Sequence, residues 1–301
     1  MAPGLLVNAQ QWAIIMSKIL CTLLLVLASG PTVAGPSLTV PNRPDTFKFA
    51  VLGDNGSGDK GQYDLAEQMI AAHQVFNYGL VIMLGDNFYG SQTAPELVRK
   101  FDRPYKPLID RGVKFYAAIG NHDEPFTINY PPLNMAGQRY YTFVRDQIRF
   151  FVLDTNVMDA DQLRWFEAAL KQSPEPWKIA YFHHPLYGNA GRHGAAIDMR
   201  VLLEPLLLGY GVSVVFSGHD HVYERLTPQK GISYFVAGSG GKLRKGDLVP
   251  SPTTAAGFDQ EQAFLIAEVA TDELYFQTIA RTGATVDSGT IPRLTRPVGT
   301  N

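Results

Sequence analysis

Cysteine is almost absent from this chain, which has 301 residues and a single cysteine, Cys21. One cysteine cannot form an intramolecular disulfide or build a thiolate metal site, so both are excluded. An excess of charge of one sign is also missing, because the formal net charge is −2. We therefore expect no nucleic-acid partner. The remaining composition, 46% hydrophobic and 18% charged, is typical of a globular protein with a sizeable core.

A hydrophobic run long enough to cross a membrane is missing from the N-terminal region. The apolar stretch from Ile19 to Ala28 covers only about half of the ~20 residues that a membrane-spanning helix needs. It follows Met16-Ser17-Lys18, and small residues continue from Gly30 to Gly35. A positive charge, a short apolar core and a small-residue exit are typical of a secretory signal peptide.

We therefore predict a signal peptide over residues 1–34, with Met16 as an alternative start and cleavage after Ala34 or near Ala28. The mature protein is then expected in the periplasm or outside the cell, with no stable membrane anchor. Cys21 lies within the predicted signal peptide, so the mature protein would contain no cysteine, which fits an oxidising compartment. A membrane anchor or a buried N-terminal helix is the alternative interpretation.

The rest of the chain divides into three parts. Residues 35–46 contain three prolines and are predicted to be a linker. Residues 47–285 alternate strand-like and helical runs and become nearly all strand from Gly231, which predicts one α/β domain. One helical pattern, over residues 94–109, is predicted to break at Pro104. Residues 286–301 are rich in Pro, Thr and Gly and are predicted to form a loose C-terminal tail.

Five of the predicted strands end directly in polar side chains that can bind metals. The residues at these ends are Asp54, Asp86, Asn121-His122, His183-His184 and His219-Asp220-His221. In α/β sheets, ligands bind where strands release polar residues at their carboxyl ends. One polar strand end usually marks a turn, but five in succession are hard to explain by turns alone. The pattern predicts a binding site at this edge.

The donors in these stretches are oxygen and imidazole nitrogen, a set that suits Fe, Mn or Zn. Seven donors, with Tyr89 counted among them, exceed what one tetrahedral ion needs, whereas two ions sharing a carboxylate would use all seven. The candidate ligands are Asp54, Asp86, Tyr89, Asn121, His183, His219 and His221. Two ions ~3.5–4 Å apart can clamp an in-line displacement at phosphorus.

Tyr89 indicates a trivalent ion in one of the two sites. A free phenol has a pKa near ~10 and is a poor ligand at neutral pH. A strongly charged cation reverses this preference by stabilising the phenolate, and Fe(III) does so best. A ferric phenolate also absorbs visible light. On position alone, aromatic packing at a strand end is the alternative role for this residue.

Five short blocks carry a resemblance to a known family. They are GDNG (53–56), GDNFY (85–89), GNHD (120–123), FHHP (182–185) and GHDH (218–221). In this order they resemble the motifs of the calcineurin-like metallophosphoesterases. The tyrosine in GDNFY is similar to that of the purple acid phosphatases, in particular their small, mammalian-type, tartrate-resistant branch. The resemblance implies a four-layer αββα sandwich of two mixed β-sheets flanked by helices.

The resemblance also implies which residues hold which ion. The ferric ligands would be Asp54, Asp86, Tyr89 and His221. The ligands of the divalent ion, which is Fe, Zn or Mn, would be Asp86, Asn121, His183 and His219. Asp86 would bridge the ions, and His184 is not expected to be a ligand.

The implied activity is that of a secreted acid phosphatase that hydrolyses small phosphate monoesters with metal-bound hydroxide as the nucleophile. His122 and His193 match positions near the substrate, where they would hold phosphate oxygens and protonate the leaving alkoxide. A Mn-, Zn- or Fe-dependent phosphodiesterase of the same superfamily is the alternative. A metal hydrolase of another class would leave the first three blocks unexplained, and a non-catalytic exported binding protein would not need the full donor set.

Overall fold

A computed structural model of the chain describes residues 35–295. The predicted signal peptide, residues 1–34, and the last part of the predicted tail, residues 296–301, lie outside the described residues. Within the described range, no helix combines the length and apolarity that a membrane crossing requires.

The first of two mixed β-sheets contains six strands. These are β1 (Phe47–Leu52), β2 (Leu80–Met83), β3 (Lys114–Ala117), β11 (Ala263–Val269), β12 (Glu273–Ala280) and β13 (Thr285–Pro292), in the order β13-β12-β11-β1-β2-β3. Strands β1, β2 and β3 run parallel, whereas β11 pairs antiparallel with β1. The carboxyl ends of β1, β2 and β3 therefore lie at the same edge.

The second sheet contains seven strands. These are β4 (Tyr141–Arg145), β5 (Ile148–Val152), β6 (Trp177–Phe182), β7 (Val214–Ser217), β8 (Tyr223–Leu226), β9 (Ser233–Ala237) and β10 (Thr254–Phe258), in the order β10-β8-β9-β7-β6-β5-β4. Strands β5, β6, β7 and β9 run parallel, so their carboxyl ends also share an edge.

Helices cover the outer faces of both sheets. They are α1 (Lys60–Phe76), α2 (Ala94–Leu97), α3 (Arg103–Asp110), α4 (Ala160–Lys171) and α5 (Ile197–Gly209). The side chains of Asp59 and Asp159 cap α1 and α4 by accepting backbone N–H bonds from Gln62 and Gln162, at 3.2 and 2.8 Å.

The alternation of side chains along the strands produces the four layers. On β1, Phe49 and Val51 pack into the apolar layer between the two sheets. Ala50 and Leu52 point to the opposite face, where they join a cluster with Leu65 and other residues of α1. A third apolar cluster lies between the second sheet and helices α4 and α5. The αββα sandwich implied by the sequence motifs is confirmed.

The predicted C-terminal tail is wrong for residues 286–292, which belong to β13. Ile291 is buried and pairs with Leu274 of β12, and Asp287 accepts hydrogen bonds from Arg225 and Tyr223. The segment resembles a loop in sequence because β13 is an edge strand, where Gly and polar residues face solvent.

Two further segments differ from the sequence prediction. The helical backbone does not break at Pro104, because a π-helical turn over Val98–Asp102 joins α2 to α3 and Pro104 falls in the first turn of α3. The predicted linker, residues 35–46, forms no helix or strand but packs on the first sheet. Its Val40 is buried, and the backbone N–H of Thr39 donates to Gln277 Oε1 at 2.9 Å.

Candidate metal centre

The candidate site forms where the strand ends of both sheets meet. The backbone N–H of Asp54 donates to the carbonyl of Gly85 at 3.1 Å, which joins the loops after β1 and β2. In the second sheet, the N–H of Gly218 donates to the carbonyl of His183 at 2.9 Å. The N–H of His219 then donates to Asp54 Oδ2 at 2.9 Å and connects the two sheets.

Three of the predicted ligands have a left-handed backbone, which is uncommon outside glycine. The φ angles are 54° at Asp54, 51° at Asp86 and 70° at His219. Such a conformation costs about 1–3 kcal/mol and is concentrated at functional sites. It turns each side chain sharply out of its strand end and toward the other loops.

A first group of donors contains Asp54, Tyr89 and His221. The phenol of Tyr89 donates to Asp54 Oδ1 at 2.9 Å, and its oxygen lies 3.0 Å from His221 Nε2. His221 Nε2 is 3.5 Å from Asp54 Oδ1. Asp86 lies beside this group, since ligand atoms of Asp54, Asp86 and His221 all fall within 4.8 Å of one another.

A second group of donors surrounds His183 Nε2. This nitrogen lies 3.3 Å from Asp86 Oδ1, 3.1 Å from Asn121 Oδ1 and 3.2 Å from His219 Nδ1. On the other side of the ring, Nδ1 is 2.9 Å from the carbonyl oxygen of Leu84. A hydrogen bond to that carbonyl leaves the Nε2 lone pair directed at the group, as in metal-binding histidines.

The residues of both groups fit a pair of metal ions. Ligands bound at about 2.0–2.2 Å from one ion lie roughly 3 to 3.5 Å apart, close to the separations within each group. Asp86 contributes to both groups, in the position of a bridge. Asp54, Asp86 and His183 are almost completely buried, and buried carboxylates need a cation or hydrogen bonds to balance them.

The pKa shifts show how closely these charges interact. Burial alone would lower the pKa of His183, but the carboxylates of Asp86 and Asp54 outweigh it and raise that pKa to about 9. Burial alone would raise the pKa of Asp86, but the His183 imidazolium holds it below its usual value. Burial is the main cause that raises the pKa of the Tyr89 phenol, and the carboxylates of Asp54 and Asp86 raise it further. Only a strong positive charge would make this phenol a phenolate.

The two predicted substrate histidines lie at the rim, one beside each group. The ring of His122 is 4.8 Å from the ring of Tyr89, centroid to centroid, and its backbone N–H donates to Asp86 Oδ1 at 2.8 Å. The ring of His193 is 4.4 Å from that of His219. Both side chains are exposed.

Asp123 supports the loop that carries Asn121 and His122. Its Oδ2 accepts hydrogen bonds from the N–H of Gly120 and from Asn87 Nδ2, both at 2.8 Å, and its Oδ1 accepts from the N–H of Phe88 at 3.0 Å. It therefore joins the loops after β2 and β3.

Sequence reasoning missed Lys242, whose ammonium group lies 5.0 Å from the centroid of the Tyr89 ring. The loop after β9 brings it there, because the N–H groups of Gly241 and Lys242 both donate to the carbonyl of Asp54, at 3.1 and 2.9 Å. The available signal was the basic residue directly after the glycine-rich stretch GSGG (238–241).

Sequence comparison places this arrangement among phosphoesterases. The profile of the calcineurin-like phosphoesterase family matches residues 47–223, which include all five strand-end blocks. Tartrate-resistant acid phosphatase type 5 from Rattus norvegicus is 22% identical, over 84% of this chain and 92% of its own.

Structural comparison identifies the same fold in proteins with different descriptions. The purple acid phosphatase PPD1 from yellow lupin (Lupinus luteus) seeds matches with a TM-score of 0.68 and 19% identity, over 85% of this chain and 55% of the lupin chain. GAP50, the anchor in the inner membrane complex of Plasmodium, matches with a TM-score of 0.72 and 17% identity, over 83% of this chain and 90% of its own. The fold thus occurs in an enzyme and in an anchor, so function must be argued from the site.

Proposed function

The chain belongs to the calcineurin-like phosphoesterase family, and from that premise we propose an exported acid phosphatase that hydrolyses small phosphate monoesters at an Fe(III)–divalent metal pair. One observation carries the proposal: the Tyr89 phenol oxygen lies within 3.0 Å of both Asp54 Oδ1 and His221 Nε2. A phenol placed among metal-type donors favours a trivalent ion.

The chain supplies a complete set of ligands for such a pair. Fe(III) would be held by Asp54, Asp86, Tyr89 and His221. The divalent ion, which is Fe, Zn or Mn, would be held by Asp86, Asn121, His183 and His219. Bound there, the pair would neutralise phosphate charge and lower the pKa of a coordinated water.

The rim residues would bind and protonate the substrate. His122 lies beside Tyr89 and His193 beside His219, and both side chains can donate N–H bonds to phosphate oxygens. Either imidazolium can deliver a proton to the departing alkoxide, which would otherwise leave as a strong base. Lys242 adds positive charge beside Tyr89 and favours the approach of an anion.

Export is supported by the N-terminal sequence, with its short apolar run from Ile19 to Ala28 and small-residue exit. The test is N-terminal sequencing of the mature protein from its native host. We expect a new N-terminus near Gly35. A full-length chain retained inside the cell would contradict export and leave the phosphatase proposal intact.

The decisive experiment on the metal pair compares Tyr89→Phe with Tyr63→Phe. The Tyr63 hydroxyl donates to the carbonyl of Arg99 at 2.7 Å and belongs to neither donor group, so this variant controls for loss of a phenol. Native protein and the control should each contain about two metals per chain, including iron. Both should absorb in the visible range, and Tyr89→Phe should not. A colourless iron-loaded native protein would contradict the proposal.

Activity should then be measured with p-nitrophenyl phosphate and bis(p-nitrophenyl) phosphate across mildly acidic to neutral pH. The two substrates have the same leaving group and differ in the charge and size of the phosphoryl part. We expect faster hydrolysis of the monoester. A clear preference for the diester would support the phosphodiesterase alternative.

A further inference from the structure

A cavity of about 600 Å³ opens beside the second donor group, which comprises Asp86, Asn121, His183 and His219. Small-molecule sites typically measure about 300–1,000 Å³, so the cavity can hold more than a phosphate group. Its walls are formed by Asn121, Thr155, Asn156, His184, Ala195, Ala196, Ile197, Asp198 and Met199.

The cavity reaches the candidate reaction site directly. Asn121 lines it and also contacts His183 Nε2 through Oδ1, at 3.1 Å. His184, another lining residue, has its ring 4.4 Å from the ring of His219. A phosphate ester bound at the metals could therefore extend its alcohol portion into this space.

Asp198 is the one acidic residue among the lining residues, and His184 is the one histidine. Ala195, Ala196, Ile197 and Met199 form an apolar side, and among the described lining residues there is no lysine or arginine. The apolar side is anchored to the site, because the N–H of Ala196 donates to the carbonyl of Pro185 at 2.7 Å.

A basic side chain lies beside the other donor group. The ammonium group of Lys242 is 5.0 Å from the centroid of the Tyr89 ring, and Lys242 does not line the cavity. Lys242 thus adds to the attraction of the anionic phosphoryl group, whereas no lysine or arginine lines the cavity to balance a second anion. Such an anion would instead meet the carboxylate of Asp198.

We propose that this cavity holds the alcohol portion of the substrate and selects monoesters of uncharged, largely apolar alcohols. The inference rests on the proposed phosphatase function and adds the substrate class. Ile197 is the specificity-determining residue of the apolar wall, and Asp198 rejects substrates with a second anionic group.

The first test measures kcat/KM for n-alkyl phosphates from methyl to hexyl, whose leaving alcohols are nearly equal in basicity. Each methylene that enters the cavity should raise kcat/KM about two- to fourfold. Ile197→Asp should abolish this increase, and it should lower kcat/KM for hexyl phosphate at least tenfold more than kcat/KM for methyl phosphate.

Val201→Asp is the matched control for the Ile197 variant. Both side chains lie on α5 and are exposed, by 57% at Ile197 and 68% at Val201, but Val201 does not line the cavity. The control should keep the chain-length dependence. If methyl phosphate is hydrolysed but chain length has no effect, or if both variants behave alike, the cavity inference is overturned and the phosphatase function stands.

Binding provides a readout that does not depend on turnover. Hexylphosphonate and methylphosphonate have a P–C bond in place of the ester bond, so calorimetry can compare their affinities for the metal-loaded protein without hydrolysis. We expect at least tenfold tighter binding of hexylphosphonate, and loss of that difference in Ile197→Asp. If no alkyl phosphate is hydrolysed, the proposed function fails, and equal binding of both phosphonates overturns the cavity inference separately.

The role of Asp198 is tested with phosphoglycolate and propyl phosphate, which are similar in size but differ by one carboxylate. In the native protein, kcat/KM for propyl phosphate should be at least tenfold higher than for phosphoglycolate. Asp198→Asn should reduce this ratio at least threefold. An unchanged preference in the variant would overturn the assigned role of Asp198.

Discussion

Asp123 shows how one side chain that is not a candidate ligand can determine where a ligand lies. Its two oxygens accept hydrogen bonds from Gly120, Asn87 and Phe88. Asp123 therefore fixes the loop that carries Asn121 to the loop after the neighbouring strand β2. Groups that orient metal ligands in this way usually change metal affinity 10- to 100-fold when removed.

We predict that Asp123→Ala weakens divalent-metal binding about 10- to 100-fold, because the loop that carries Asn121 loses its attachment. The visible band should persist, because the backbone of Tyr89 has two attachments besides Asp123: its N–H donates to the carbonyl of Gly56 at 3.0 Å, and its carbonyl accepts from the Lys100 ammonium at 2.6 Å. The measurement is metal content and spectrum after dialysis against graded chelator.

Asp159→Ala is the control for this variant. It removes the cap of α4 and should cost about 1 kcal/mol in urea unfolding without changing metal content. If Asp123→Ala loses iron and the divalent metal equally, the loop-specific role is contradicted.

Strand ends are the elements that build the centre, and glycine makes their close approach feasible. Gly85, directly after β2, has φ +90°, and a Cβ there would lie 2.8 Å from His183 Nδ1 and 2.9 Å from the backbone nitrogen of Gly120. Gly90 has φ +64°, and no described atom outside its chain neighbours would lie within 4 Å of an added Cβ. Comparing an alanine substitution at Gly85 with one at Gly90 therefore separates the cost of backbone strain from the cost of steric crowding.

We predict that Gly85→Ala and Gly90→Ala both lose about 1–2 kcal/mol from the left-handed backbone. Gly85→Ala should lose more, because it also displaces His183, and it should bind the divalent metal at least tenfold more weakly. Urea unfolding of the metal-free proteins and metal titration provide the two readouts. Equal stability losses in the two variants, together with unchanged metal binding, would contradict this prediction. They would show that the added methyl group at position 85 is accommodated without displacing His183.

The sequence predicted the elements that carry the ligands better than those at the periphery. The strand before each block is marked by an apolar run that ends abruptly, as at Leu84 before Gly85 and Asp86. Strand β13 was missed because an edge strand buries little: Ile291 is its one buried residue, and Val286 is half-buried. The continuation of the helix past Pro104 depends on a π-helical turn, which has no sequence signature.

The molecule as a whole places two carboxylates and a histidine in one buried space, so its stability should depend on pH and on metal. In the metal-free protein, the pKa of His183 is raised to about 9 by Asp86 and Asp54 against the effect of burial. The unfolded value is near ~6.5. This interaction contributes stability that is fully present below pH ~6.5 and is lost as pH rises to about 9. The depressed pKa of Asp86 contributes stability above pH ~3.9 that is lost on further acidification.

We predict that the Tm of the metal-free protein falls between pH ~6.5 and ~9. Metal-loaded protein should lack this fall, because a metal ligand must be neutral imidazole and binding releases the proton. The measurement is calorimetry at several pH values, with His183→Gln as the metal-free control. An identical decline in His183→Gln would show that other groups cause it.

Before folding, the sequence had already determined the chemistry of this protein and its layered α/β character. The kinds of donor, their position after apolar runs and the alternation of strands and helices are local properties, readable from neighbouring residues. Only the tertiary structure decided that Tyr89 lies between Asp54 and His221, that Lys242 lies over its ring and that a cavity with one apolar side adjoins Asn121. These contacts form between loops that are far apart in the sequence, and they depend on how the two sheets pack. A local sequence pattern does not show which distant loops will meet.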